Sequence, residues 1–202
     1  ISLYEVVGAY STFANKGIYI EPIFITRIED KNGVPIFEVI PKTSDVLSEE
    51  AAYVTLNLME GVTNYGSGGR LRHSGLEKTS YIYKNLITGY PYEFKNAIAG
   101  KTGTTQNQSD GWFMGMVPNL VTGVWVGGED RSVHFEDIAF GQGATMALPI
   151  WAQFMKNAYS NPDLGISDEK FQSPRVLTIP LNCENINIES EKTKKDLEDL
   201  GF

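Results

Sequence analysis

Three β-rich stretches between Ala97 and Gly127 restrict the folds open to this chain more than any other part of it. The first carries Lys101-Thr102-Gly103-Thr104-Thr105 behind an apolar lead-in, Ala97-Ile98-Ala99. The second runs from Gly111 to Val117, the third from Leu120 to Val126. Only Pro118-Asn119 lies between the last two, too short a link for a crossover, so that pair must be antiparallel. The expected fold class is therefore α+β, an antiparallel sheet of at least three strands flanked by helices.

Helical periodicity supplies the flanks. Leu3, Val6, Val7, Tyr10 and Phe13 recur at spacings of three and four, which predicts a helix over 3–15. Ser2 and Glu5 form a capping-box pattern at its start, and Gly17 suits a left-handed end. A second helix is expected over 49–65, with Ala52, Leu56, Met59 and Val62/Thr63 inward. A third is expected over 145–159, with Met146, Ile150, Phe154 and Ala158 on one apolar stripe and Pro149 in its first turn. Asn32-Gly33 predicts a hairpin spanning 23–39, and Pro35 makes its second arm an edge strand. Residues 41–45 read as a connector and 127–142 as loop. The stretch 70–95, with Tyr81, Tyr83, Tyr90 and Tyr92, reads as a long excursion, either a groove wall or a cover for the sheet. The expected division is 1–161 as the folded portion and 162–202 as a polar tail.

Composition closes off several functions. The net charge of -8 and the absence of a basic patch argue against nucleic acid and against contact with an anionic bilayer. No apolar run approaches the roughly 18–20 residues of a membrane span. Cys183 is the single cysteine, and His73 and His134 share no ligand spacing with it, so neither a metal nor another cofactor is expected. A chain opening on Ile1 is expected to be a piece of a longer protein.

The cation, hydroxyls and glycine of 101–105 suit a carboxylate and a peptide backbone lying along a strand. A phosphate-binding loop is the competing chemistry for Gly100-Lys101-Thr102. That loop needs glycine where this chain has Lys95, and it must run straight into a helix, whereas Gly103 and two β-branched threonines follow here.

Lys-Thr-Gly is also one of three signature elements of serine acyl-transfer enzymes of the penicillin-binding kind. The other two, Ser-x-x-Lys and Ser-x-Asn, should precede it, and neither stands ahead of Lys101. The flanks extend the likeness: Asp110-Gly111-Trp112-Phe113-Met114-Gly115, Gly123-Val124-Trp125-Val126-Gly127, Ala9 to Tyr19 with Pro22, Gly66-Ser67-Gly68, and Gly143 through Trp151. Together these resemble the C-terminal part of the transpeptidase domain of class A penicillin-binding proteins, over roughly 3–158. Gly66-Ser67-Gly68 sits where that family has Gly-Thr-Gly.

The resemblance implies a partial penicillin-binding/β-lactamase-like domain that cross-links peptidoglycan stem peptides by serine acyl transfer. Lys101 and Thr104 would be catalytic, Thr104 through its backbone N–H. Thr102, Gly103 and Thr104 would bind substrate, with the two hydroxyls on the terminal carboxylate. Partners would be stem peptides, β-lactams and the missing N-terminal part. That part would anchor the protein on the extracytoplasmic (periplasmic) side of the membrane. Without a nucleophile the isolated piece is expected to be inactive. A nucleophile-free module that binds D-Ala-D-Ala or β-lactam is the alternative.

Overall fold

The structure is a computed structural model, and it describes residues 1–72 and 91–181. His73, Tyr81, Tyr83, Tyr90, Cys183 and the charged stretch 189–200 lie outside the described residues.

Helix α1 spans Leu3–Ala14. Its capping box forms as expected: Glu5 N–H donates to Ser2 Oγ, and Ser2 N–H donates to the Glu5 carboxylate at 2.7 Å. The chain leaves α1 through Gly17 at φ +89°, where a Cβ would meet the Leu47 carbonyl. Strand β1 (Ile18–Ile20) follows, and it pairs with β4 (Thr43–Asp45). Residues 43–45 are therefore a strand rather than a connector. Thr-Ser-Asp hides its pairing because every side chain of this short strand is exposed, so no apolar alternation marks it.

Between them stands the expected hairpin of β2 (Arg27–Glu29) and β3 (Pro35–Glu38). Its strands are shorter than the apolar stretches that predicted them. The Asp30 carboxylate accepts from the backbone N–H of Asn32 and of Val34 at 2.8 and 2.9 Å and holds the turn, with Gly33 at φ +81°. Those bonds lower the Asp30 pKa.

Helix α2 spans Glu49–Asn64 and is capped by Ser48. Ala52, Leu56 and Thr63 are buried along one face, as expected. The Glu50 carboxylate at its start accepts from Thr178 N–H, Thr178 Oγ1–H and Ile179 N–H, so the segment after the last helix returns to α2. On the way Phe171 is buried beside Leu56, Ala99 and Met116.

These bonds favour the ionised Glu50 and depress its pKa, first through Ile179 and then through Thr178. A depressed carboxyl pKa gives stability that is present above the ordinary value of 4.5 and lost as pH falls through the folded value. Glu50→Gln is thus expected to lower the melting temperature at pH 7 by more than at pH 3. Equal losses at both pH values in thermal melts would contradict the anchoring role.

The sheet is β5 (Ala99–Thr104), β6 (Asp110–Val117) and β7 (Leu120–Gly127), in that order and antiparallel throughout. Opposite residues include Thr102 and Phe113, Gly103 and Trp112, and Thr104 and Gly111. Strand alternation puts Gly100, Thr102, Thr104, Phe113 and Gly115 on one face. Ala99, Lys101, Gly103, Met114 and Met116 take the other.

Short helices α3 (Ile138–Gly141) and α4 (Gly143–Met146) precede α5 (Leu148–Tyr159). Two expectations change here. The expected loop 127–142 ends in a helical turn, capped by Asp137. The expected helix 145–159 divides at Ala147, and its inward face is Leu148, Trp151, Ala152, Met155 and Ala158. Ile150 and Phe154 instead point outward, 52% and 50% exposed. The cause is tertiary. A Cβ on Gly115 would lie 2.3 Å from the Trp151 ring, so that glycine makes the recess that receives the indole. Trp151 meets Phe113 edge-on at 5.3 Å, and Leu71, Tyr92, Phe94, Ile98 and Met155 complete this core. Tyr92 thus belongs to the core.

Candidate functional site

The phase of the β5–β6 ladder decides what β5 offers its surroundings. Thr105 N–H donates to Asp110 C=O at 3.1 Å, one step beyond the Thr104–Gly111 pair. In an antiparallel ladder, bonded and non-bonded pairs alternate. Gly103 and Lys101 therefore spend their backbone groups on β6, while Thr104 and Thr102 turn theirs to the opposite edge. Among the described residues no strand pairs with that edge. Its outward groups thus include the Thr104 N–H and the Thr102 C=O.

Side chains converge on the same edge. Lys101 is exposed, and its stem bends so that Nζ donates to the Thr102 carbonyl at 2.6 Å. Thr102 Oγ1 lies 2.6 Å from Ser67 Oγ, and either hydroxyl can be the donor. Thr104 Oγ1 accepts from Gly143 N–H at 3.0 Å, which ties β5 to the first residue of α4. Gly103 faces the other way, over Trp112. Two hydroxyls, one backbone N–H and one ammonium thus lie along a single free strand edge, a suitable arrangement for an anionic peptide end.

The strand is held from several sides. Asp110 fixes the β5–β6 turn: it receives Thr105 Oγ1–H at 3.1 Å and Trp125 Nε1–H at 3.1 Å, while its own N–H donates to Thr105 Oγ1. Thr63, buried on α2, donates to Ile98 C=O at 2.5 Å and accepts from Arg72 Nη2 at 3.1 Å. Burial lowers the Arg72 pKa against the raising effect of Glu60, and burial raises that of Glu60. Arg70 Nη1 reaches Ala144 C=O and Thr145 Oγ1 at 3.2 and 3.0 Å, linking the turn after α2 to α4.

The structure thus brings Lys101, Thr102 and Thr104 to one edge and adds Ser67 and Gly143, whose contacts the sequence did not indicate. Gly66-Ser67-Gly68 carried a signal through its glycines, but nothing local tells that Ser67 meets a strand 35 positions away. A Ser-x-x-Lys match does exist after the strand, Ser167 to Lys170, but it lies in irregular backbone. Its Ser167 carbonyl and amide bond Tyr159 and Asn119, at the β6–β7 turn and away from Thr104. Among the described residues no group of His, Cys, Asp or Glu could hold a metal, and no helix is long and apolar enough to cross a membrane.

Comparison with known proteins gives a consistent family. The family model described as the penicillin binding protein transpeptidase domain matches residues 1–155. The chain is 32% identical over 168 residues to penicillin-binding protein 1A of Aquifex aeolicus, which covers 82% of this chain and 20% of that protein. It is 33% identical over 174 residues to penicillin-binding protein 2D of Bacillus subtilis, covering 86% and 22% respectively. It thus spans about a fifth of the length of these relatives. Among solved structures, penicillin-binding protein 1A from Haemophilus influenzae aligns with a TM-score of 0.66 at 23% identity, over 87% of this chain and 28% of that one. At that identity the likeness speaks for the fold. PonA1 from Mycobacterium tuberculosis, solved in complex with penicillin V, aligns at 0.62 and 25% identity, over 87% of this chain and 42% of its own.

Proposed function

The chain belongs to the penicillin-binding protein transpeptidase domain family, and from that premise we propose that it supplies the carboxylate-gripping strand of a peptidoglycan D,D-transpeptidase. The observation that carries this reading is the free edge of β5, where the Thr102 and Thr104 hydroxyls and the outward Thr104 N–H accompany Lys101. The reading calls for a longer protein, in line with the share of its relatives that the chain spans. Residues 1–161 would be its transpeptidase portion, and 162–202 a polar segment that begins by packing back on it through Phe171, Thr178 and Ile179.

A serine outside this chain attacks the penultimate D-alanine carbonyl of a stem peptide. The carbonyl oxygen becomes an oxyanion, and the Thr104 N–H donates to it. The serine proton passes to the leaving amine of the terminal D-alanine, and an acyl-enzyme forms. An amine of a neighbouring strand then attacks that ester and releases the serine. Thr102 and Thr104 hold the terminal carboxylate during acylation, and the Lys101 ammonium adds positive charge beside it. A β-lactam with its own carboxylate enters the same cradle and stays as the acyl group. The work is done on the extracytoplasmic side of the bacterial membrane, where stem peptides are found.

Labelling with a fluorescent penicillin tests this. The longer gene product is expected to carry a covalent adduct that survives denaturation, and the 202-residue chain alone none. No adduct on the longer product would overturn the reading. Saturable binding of a D-Ala-D-Ala peptide without any adduct would put a binding module in its place.

A further inference from the structure

We infer that Ser67 is a positioning residue for a carboxylate ligand: it donates to Thr102 Oγ1 and so turns the Thr102 proton toward the anion. This rests on the reading of the β5 edge as a carboxylate cradle.

The backbone fixes where Ser67 can be. After α2 the chain folds back on the helix's last turn. Gly68 N–H donates to Val62 C=O at 3.0 Å, and Gly69 N–H to Gly66 C=O at 2.9 Å. A Cβ on Gly66 would lie 3.0 Å from Val62 Cα, and one on Gly68 3.2 Å from the Val62 carbonyl oxygen. Glycine on both sides of Ser67 therefore lets the turn lie flat on the helix. That brings Ser67 Oγ to 2.6 Å from Thr102 Oγ1.

Proton counting supplies the rest. A hydroxyl has one proton and two acceptor positions. At Thr104 the order is fixed, because the Gly143 amide can only donate. The Thr104 oxygen is occupied on its acceptor side, and its proton stays free to leave the sheet. At Thr102 two orders exist. If Thr102 donates to Ser67, its proton is used up and its oxygen faces an incoming carboxylate, oxygen against oxygen. If Ser67 donates to Thr102, the Thr102 proton is free for the carboxylate, and the two bonds in series polarise each other. An anion selects the second order. Both threonines then work alike, each with a donor on its oxygen and its own proton free for the anion.

Benzylpenicillin and its methyl ester separate this role from a merely structural one. Wild-type longer gene product is expected to acylate faster with the acid than with the ester. Ser67→Ala keeps the Thr102–carboxylate bond and removes only the donor that polarises it, so that preference is expected to fall about two- to threefold, with the ester rate changed less and the melting temperature unchanged. Ser67→Thr, which keeps the hydroxyl, is expected to restore it. An unchanged acid-to-ester ratio in Ser67→Ala, or equal slowing with both compounds, would overturn the assignment to Ser67 and leave the cradle standing. A wild-type protein that acylates with neither, or with both at the same rate, would overturn the cradle and Ser67 with it.

Discussion

Thr102→Val and Lys101→Ala in the longer gene product are each expected to slow β-lactam acylation by about 10²–10³-fold, the loss typical of one preorganised donor in such a site. Valine keeps the β-branched shape that the strand prefers. It removes the hydroxyl that would face the carboxylate and leaves Ser67 Oγ without its partner at 2.6 Å. The Lys101 change removes the ammonium that bends onto the Thr102 carbonyl. Both side chains lie at a partly open edge rather than in the core, so melting temperatures should stay close to wild type. Stopped-flow acylation rates with a chromogenic cephalosporin read the effect. Normal rates in both variants would remove the β5 edge from the chemistry.

Trp151→Ala is expected to destabilise the fold by about 3–5 kcal/mol, a large share of the roughly 5–15 kcal/mol available to a domain. Trp151 is 1% exposed, meets Phe113 at 5.3 Å and Phe94 at 6.0 Å, and fills the recess opposite Gly115. The sheet cannot collapse into the space, because a strand rather than a side chain forms its floor. Trp151→Phe should cost much less. It keeps an aromatic ring, and the indole N–H it removes has no hydrogen-bond partner among the described residues. Chemical denaturation of the three proteins checks the order. A Trp151→Phe loss equal to that of Trp151→Ala would show that ring packing is not the source.

The same pair of residues marks where sequence reasoning reached its limit. The α1 start, the Asn32-Gly33 turn and the Pro118-Asn119 link were legible because each is set by neighbours a few positions apart. The phase of α5 was not. Ile150 and Phe154 make as good an apolar stripe as Trp151 and Met155, and only the recess at Gly115 decides between them. Strand β4 was missed for a related reason: a short exposed strand is specified by its partner β1, and Thr43-Ser44-Asp45 carries no mark of that pairing. At the site, Lys101, Thr102 and Thr104 were visible as a motif. The donors behind the hydroxyls, Ser67 and the Gly143 amide, arrive from 35 and 39 positions away and leave no local trace.

One measurement bears most directly on the β5 edge as a carboxylate and oxyanion cradle: a crystal structure of the longer gene product acylated by a penicillin. The ligand carboxylate is expected within hydrogen-bond distance of the Thr102 and Thr104 hydroxyls, and the ester carbonyl oxygen on the Thr104 N–H. A penicillin bound covalently with its carboxylate turned away from β5 would contradict it.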